Sequence, residues 1–399
     1  MILRAKLVVP MSQPPIENGA VAVEADTIVA VGPAGDVTGG EERDLGEVAL
    51  LPGLINAHGH LDYGPMAGHG EWRGSFIEWL LQLVEVKTER TEAEYVAGIT
   101  AGRERLLKSG TTTLVNIESF PALIDQLPAS PLRTIWCLEL IKFKRTETAQ
   151  ELIAAAVAFV DAHPALRFGL SPHAPYTASG ELYRLAARFA RGRQLLFTTH
   201  LAETEEEDDM FRRGTGHMYE HFYRAGRDMT DCKRFGPLQL LREMDVLTPA
   251  CLLAHMNCLT PADVKLLAQT GAHVVHCPRT HRFFRRPTPL LESLIHAGVN
   301  VCLGTDSLAS NDRLDMFAEM QELARIFPRW SAEEILTLAT LNAAKALKQP
   351  DKLGKLAAGA SADLIAVPLD GPVVDAYESV VFSEKPVCFS MIEGKAVLG

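Results

Sequence analysis

The chain reads as apolar, β-branched runs separated by helical patterns. In its middle one junction recurs: LLKSG precedes TTTLVNIE, LLAQTG precedes AHVVHCPR, and LIHAG precedes VNVCLGTDS. Glycine supplies the left-handed conformation just past a helix end. The unbroken apolar run after it is the pattern of a parallel strand buried on both faces. Eight such strands are expected, at 48–58, 111–118, 132–140, 166–173, 194–200, 250–256, 272–277 and 300–305. Helical periodicity lies between them, as in TETAQELIAAAVAFVDA and TPADVKLLAQT.

The two ends differ from the middle and are alike. Residues 1–50 give ILRAKLVV and, after Asn18-Gly19, AVAVEADTIVAVG; the far end gives DLIAVPL, VVFSE and CFSMIEGKAVL. These are short strands punctuated by turn residues. The expected fold is α/β: a (β/α)8 TIM barrel over 51–352, with a small β-sandwich domain built from 1–50 and 353–399. An open doubly wound sheet also alternates strand and helix. Strand count and length favour the barrel, which takes about 250 residues plus insertions. Residues 204–236 are the longest connection without a clear period and are expected to cover the active site, with the acidic run 205–209 as solvated surface.

Composition narrows the function. Of 399 residues, 47% are apolar and 22% charged, which excludes a disordered or collagen-like chain. A net charge of −11 with no basic block leaves no footprint for nucleic acid. No run is long enough for a membrane span. The N-terminus lacks the apolar core and cleavage site of a signal peptide, so a cytoplasmic protein is expected. The seven cysteines include no Cys-x-x-Cys and read as buried, reduced thiols.

The histidines carry the chemistry. His58 and His60 close the first barrel strand; two residues apart, they point to one side and can reach one metal ion. His200 closes the fifth strand, His255 the sixth and Asp306 the eighth. In a barrel these ends converge on one mouth. Imidazole and carboxylate without thiolate suit zinc or ferrous iron. His217 and His221, four apart, lack a third partner nearby and read as loop residues or substrate contacts. Arg279 can clamp a substrate carboxylate or phosphate, or pair with a loop carboxylate. Trp72, Tyr63 and Phe76 follow the first strand and can stack on a purine or pack in the core.

PGLINAHGHLD, SPHAPYT, HLAET, HCPRT, GTDS and LGKLAAGASADLIAV together resemble the amidohydrolase superfamily, in its cytosine deaminase–chlorohydrolase branch. The resemblance implies one divalent metal ion, zinc foremost and iron second, held by His58, His60, His200 and Asp306. It implies His255 beside the reacting centre and Glu203 as proton shuttle. The strand-four end, SPHAPYT, offers His173 as a substrate contact and no lysine, which argues against a two-metal site; Lys142 and Lys144 follow strand three. HCPRTHRFF and GTDSLASND are similar to aminofutalosine deaminases, whose substrate is an adenine nucleoside bearing a benzoate. Thr280 and His281 depart from the Ser-Asn usual there. The expectation is a hydrolytic deaminase acting on a small molecule as a homodimer or larger. A chlorohydrolase, a cyclic-amide hydrolase and a non-catalytic scaffold are the alternatives.

Overall fold

The computed structural model describes residues 1–143, 146–371 and 373–399; Lys144 lies outside them. Eight parallel segments form the central sheet, in chain order Leu54–His60, Thr111–Glu118, Arg133–Leu140, Arg167–Pro172, Leu196–Leu201, Cys251–His255, His273–His276, and a last one in two pieces, Val301–Leu303 and Asp306–Ser307. Each pairs with the next. The last strand joins His273–His276 through its first piece and Leu54–His60 through its second, so the ring closes. Every residue of Leu54–His60, Thr111–Glu118 and Cys251–His255 is buried, as continuous apolar runs require.

The expected junctions form as their chemistry dictates. Gly110, Gly271 and Gly298 all hold positive φ just before barrel strands. The helices Ala149–Ala162 and Pro261–Thr270 start on capping boxes, Thr148 with Glu151 and Thr260 with Asp263.

The expected strand 48–58 is two strands. Val48–Pro52 belongs to a second sheet, and the barrel strand begins at Leu54. Gly53 marks the break: a Cβ there would meet the Thr112 side chain at 2.2 Å. The second sheet has eight strands drawn from both ends of the chain, with Val48–Pro52 between Ile2–Val8 and Leu364–Pro368. The pairing shows one sheet where a sandwich was expected. VVFSE, read as a strand, instead overlaps the end of the helix Ala376–Val381, which Asp375 initiates by accepting from the backbone N–H groups of Tyr377 and Glu378.

The second sheet meets the barrel at the starts of the strands. Arg133, where its strand begins, is buried against Asp363 and reaches Glu393 at 3.0 Å. The strand ends at the opposite mouth are left for chemistry. Five cysteines are buried, Cys258 is half-buried and Cys388 is exposed, and all seven are free. No described helix is long and apolar enough to cross a membrane.

Candidate active site

The ends of four strands deliver a compact imidazole cluster. The ring centroids of His58 lie 4.9 Å from those of His60 and His200 and 5.4 Å from that of His255. His60 Nε2 and His200 Nε2 are 3.0 Å apart. Asp306 Oδ1 is 3.8 Å from Nε2 of both His58 and His60. Its other oxygen accepts from Ser310 Oγ at 3.1 Å, and Thr280 Oγ1 stands 3.1 Å from the same hydroxyl.

Backbone geometry at this mouth is unusual. Ala202, His255, Met256 and Asp306 all have positive φ without being glycine. Such residues cost on the order of 1–3 kcal/mol each and persist only where their surroundings fix them. The strain bends the chain at the end of three strands and turns Asp306 and His255 toward the histidines.

These donors fit a divalent cation. Both ring nitrogens of His58 and Nδ1 of His60 are buried without a hydrogen-bond partner. His200 Nδ1 donates to the His173 carbonyl at 2.9 Å, which leaves Nε2 as a lone pair facing His60. Burial and neighbouring imidazoles hold His58, His60 and His255 well below the ordinary histidine pKa, so these rings are neutral. The imidazoles of His58, His60 and His200 and one carboxylate oxygen of Asp306 are a donor set for zinc or ferrous iron.

Glu203 is buried beside them, with Oε2 3.8 Å from His255 Nε2. Its backbone is fixed from two sides: the N–H donates to Glu207 at 2.8 Å and the carbonyl accepts from Asn257 Nδ2 at 3.2 Å. Burial pushes its pKa up to about 8, against the pull of the Arg286 charge. A carboxyl that holds its proton near neutrality can give it away during a reaction.

The acidic run after it is not a solvated loop. Residues 204–236 hold two helices, Glu205–Arg212 and His217–Arg224. Glu206 accepts from Phe76 N–H at 2.6 Å and Glu207 is fully buried. His217 and His221 lie on the second helix, His217 exposed.

The structure places the remaining candidates as follows. His173 is half-buried, its ring centroid 4.9 Å from that of His200, and its Nδ1 meets Thr177 Oγ1 at 2.6 Å. Tyr63 packs edge-on against His60 at 5.3 Å. Trp72 meets Phe284 at 5.0 Å, and Phe284 also touches Phe76. Arg279 forms an ion pair with Asp312, its Nε donates to Asn311 at 3.1 Å, and its backbone N–H donates to Glu319. That is the loop-carboxylate role the sequence also allowed.

Sequence reasoning missed a buried charge network behind the histidines. Lys87 Nζ lies 3.5 Å from Asp62 and donates to Ser119 Oγ at 2.9 Å; Ser119 donates to Glu139 at 2.7 Å. Glu139, His173 and His200 bring ligand atoms within 4.8 Å of one another. The available signal was positional: Glu118 and Glu139 stand at strand ends, just as the histidines do.

Comparison with known proteins agrees with this geometry. Residues 49–397 match the Amidohydrolase family. A 5-methylthioadenosine/S-adenosylhomocysteine deaminase of Teredinibacter turnerae is 32% identical over 372 residues, covering 88% of this chain and 79% of the relative. An aminodeoxyfutalosine deaminase of Deinococcus radiodurans is 31% identical over 330 residues, covering 78% and 77%. Among solved structures, an adenosine deaminase from Xanthomonas campestris with bound zinc superposes with a TM-score of 0.86 at 26% identity, covering 100% of this chain and 92% of that one. An aminofutalosine deaminase of Helicobacter pylori shares the fold, with a TM-score of 0.87 at 22% identity and full coverage of both chains. The histidines at the strand ends and a family match over most of the chain lead to one conclusion: this protein belongs to the amidohydrolase family.

Proposed function

We propose that the protein is a metal-dependent deaminase that hydrolyses the exocyclic C–N bond of an adenine nucleoside and releases ammonia. The carrying observation is the convergence of His58, His60, His200 and Asp306 with Glu203 and His255 beside them. The relatives named as deaminases of 5-methylthioadenosine, S-adenosylhomocysteine and aminodeoxyfutalosine support the substrate class.

His58, His60, His200 and Asp306 would hold the ion. Zinc is favoured by the zinc-bound relative, and iron fits the same donors. When bound, the metal supplies a water-derived nucleophile at neutral pH. The protein's own groups do the rest. Water adds to the ring carbon that bears the amine, and Glu203 delivers a proton to the neighbouring ring nitrogen. Glu203 then takes up the proton that the water loses and passes it to the amine, which leaves as ammonia with the electron pair of the broken C–N bond; the proton of the added hydroxyl returns to Glu203 as the ring carbonyl forms. His255 stabilises charge that develops on the attacking oxygen. His173, Tyr63 and Trp72 flank this centre as substrate contacts.

Chlorohydrolases share the fold at 19% identity. Glu203 beside His255 favours deamination, since an amine must be protonated to leave and chloride need not be. We also place the protein in the cytoplasm, as a homodimer or larger with its small β-domain formed from 1–50 and 353–399; this follows from its likeness to the family, and sedimentation equilibrium reads the assembly.

The test is ammonia release by zinc-loaded protein from adenosine, 5-methylthioadenosine, S-adenosylhomocysteine and aminodeoxyfutalosine. Release that disappears in Glu203→Gln supports the reading. A metal-loaded protein that releases ammonia from none of them overturns it.

A further inference from the structure

Arg279 pairs with Asp312, whereas the guanidinium of Arg286 lines a cavity beside Thr204 and Asn257, next to Glu203 in the chain and in its backbone hydrogen bonding. Arg286 follows the short helix Pro278–Phe283. Its Nε and Nη2 are buried, yet neither has a hydrogen-bond partner, and Arg286 makes no ion pair among the described residues. Burying such donors unpaired is costly. Its charge is close enough to Glu203 and His255 to shift both. Its Cζ lies 5.0 Å from the Phe284 ring and 5.9 Å from the Phe76 ring, so two aromatic faces hold the fork.

The backbone is built to put Arg286 there. Arg285 takes φ +52, left-handed without being glycine. The N–H of Arg285 bonds the carbonyl of Arg282, and that of Arg286 bonds the carbonyl of His281 at 3.2 Å, which is the Schellman pattern. His281 Nε2 donates to the Pro287 carbonyl at 2.7 Å. His281 therefore grips the chain on both sides of Arg286.

We propose that Arg286 is a specificity-determining residue that binds an oxyanion on the substrate, a carboxylate rather than a phosphate. This rests on the adenine-nucleoside reading above. A planar fork with free donors matches a carboxylate in bidentate fashion. Arg286 lines a cavity of about 790 Å³ together with Glu205, Glu206, Asp208 and Asp209. The lining sets four carboxylates against three guanidinium groups, those of Arg213, Arg285 and Arg286, and this small excess of negative charge accepts a monoanion more readily than a phosphate dianion. His281 is a positioning residue for this contact.

The experiment compares kcat/KM for S-adenosylhomocysteine, which carries a carboxylate, with that for uncharged 5-methylthioadenosine. AMP is the phosphate arm. In the wild type S-adenosylhomocysteine is preferred and AMP is poor. Arg286→Gln lowers the ratio of the first two by about tenfold or more, mainly through KM, as loss of a charged hydrogen bond does. An unchanged ratio, with both substrates falling alike, overturns the proposal. A wild type that prefers AMP overturns the choice of carboxylate. If no adenine nucleoside is turned over, the functional reading has failed, and calorimetric binding of benzoate then tests Arg286 alone. Weaker binding to Arg286→Gln than to wild type supports the contact; equal binding overturns it.

Discussion

Asn56 and Thr305 clamp the first barrel strand to the last: Asn56 Nδ2 donates to Thr305 Oγ1 at 2.7 Å, and Thr305 N–H donates back to Asn56 Oδ1 at 3.1 Å. The same Asn56 oxygen accepts from His58 N–H at 3.3 Å. One amide thus registers His58 against Asp306, two candidate ligands on strands that meet only where the ring closes. Asn56→Ala strands buried polar groups and is expected to cost about 1–3 kcal/mol of stability. Metal affinity is expected to fall about 10- to 100-fold, as for lost supports of metal ligands. Competition of wild type and variant for zinc against a chromogenic chelator measures it; equal affinity would show that the ligands are positioned without Asn56.

Gly304 lies between the two pieces of the closing strand and touches His58. A Cβ there would stand 2.7 Å from the His58 carbonyl oxygen and 2.9 Å from its Cβ. Backbone cannot yield as a flexible side chain does. Gly304→Ala should therefore displace His58, destabilise the fold by about 1–3 kcal/mol, and reduce bound metal at equal protein. Metal analysis with a denaturant titration reads both.

Glu207 gives a pH signature away from the histidines. Burial pushes its pKa up to about 8, although it accepts from the Glu203 N–H. An unfolded glutamate titrates near ~4.3. Because the folded value is the higher one, its contribution to stability is full below ~4.3, declines as pH rises, and is lost once pH passes the folded value. Glu207→Gln cannot ionise, so its unfolding free energy should fall less than that of the wild type between pH 5 and 8. Parallel pH profiles would refute the assignment.

Lys87 faces Asp62, Glu118 and Glu139 in the network behind His173. Burial, with the Glu139 charge adding to it, raises Asp62 to about 6 against the pull of Lys87. Lys87→Met would leave buried carboxylates uncompensated and should destabilise by about 3–5 kcal/mol at pH 8, with a smaller loss at pH 5 where Asp62 is protonated. Urea denaturation at the two pH values checks it.

The convergence of the candidate ligands was legible because each of them pairs a reactive side chain with one repeated place, the end of an apolar run. His58, His60, His200 and Asp306 needed no tertiary information beyond the barrel itself. The boundary at Gly53 was not legible, since VALLPGLINAH is apolar on both sides and only the clash with Thr112 shows why it breaks. Arg279 and Arg286 look equivalent in the sequence. They differ in whether Asp312 is within reach, and that is decided by a loop from another strand. Glu207 sat in an acidic run that composition assigns to the surface, yet helical phase turned it inward while Glu205 stayed outside. The Lys87 network escaped for a similar reason: a lysine on a helix is ordinarily solvated, and only packing against Tyr63 and Phe120 buries this one.

The strand Val48–Pro52 has a consequence for how the molecule comes into being. One of its neighbours, Ile2–Val8, is synthesised before it; the other, Leu364–Pro368, is made only after the whole barrel has been. Leu54–His60 waits in the same way for Asp306–Ser307. Both edges stay open while most of the chain is being made, and pairings so distant in sequence form slowly. A nascent chain stalled before Val301 can neither seal its ring nor assemble its ligand set. Closure of the ring and assembly of the candidate ligand set therefore arrive together.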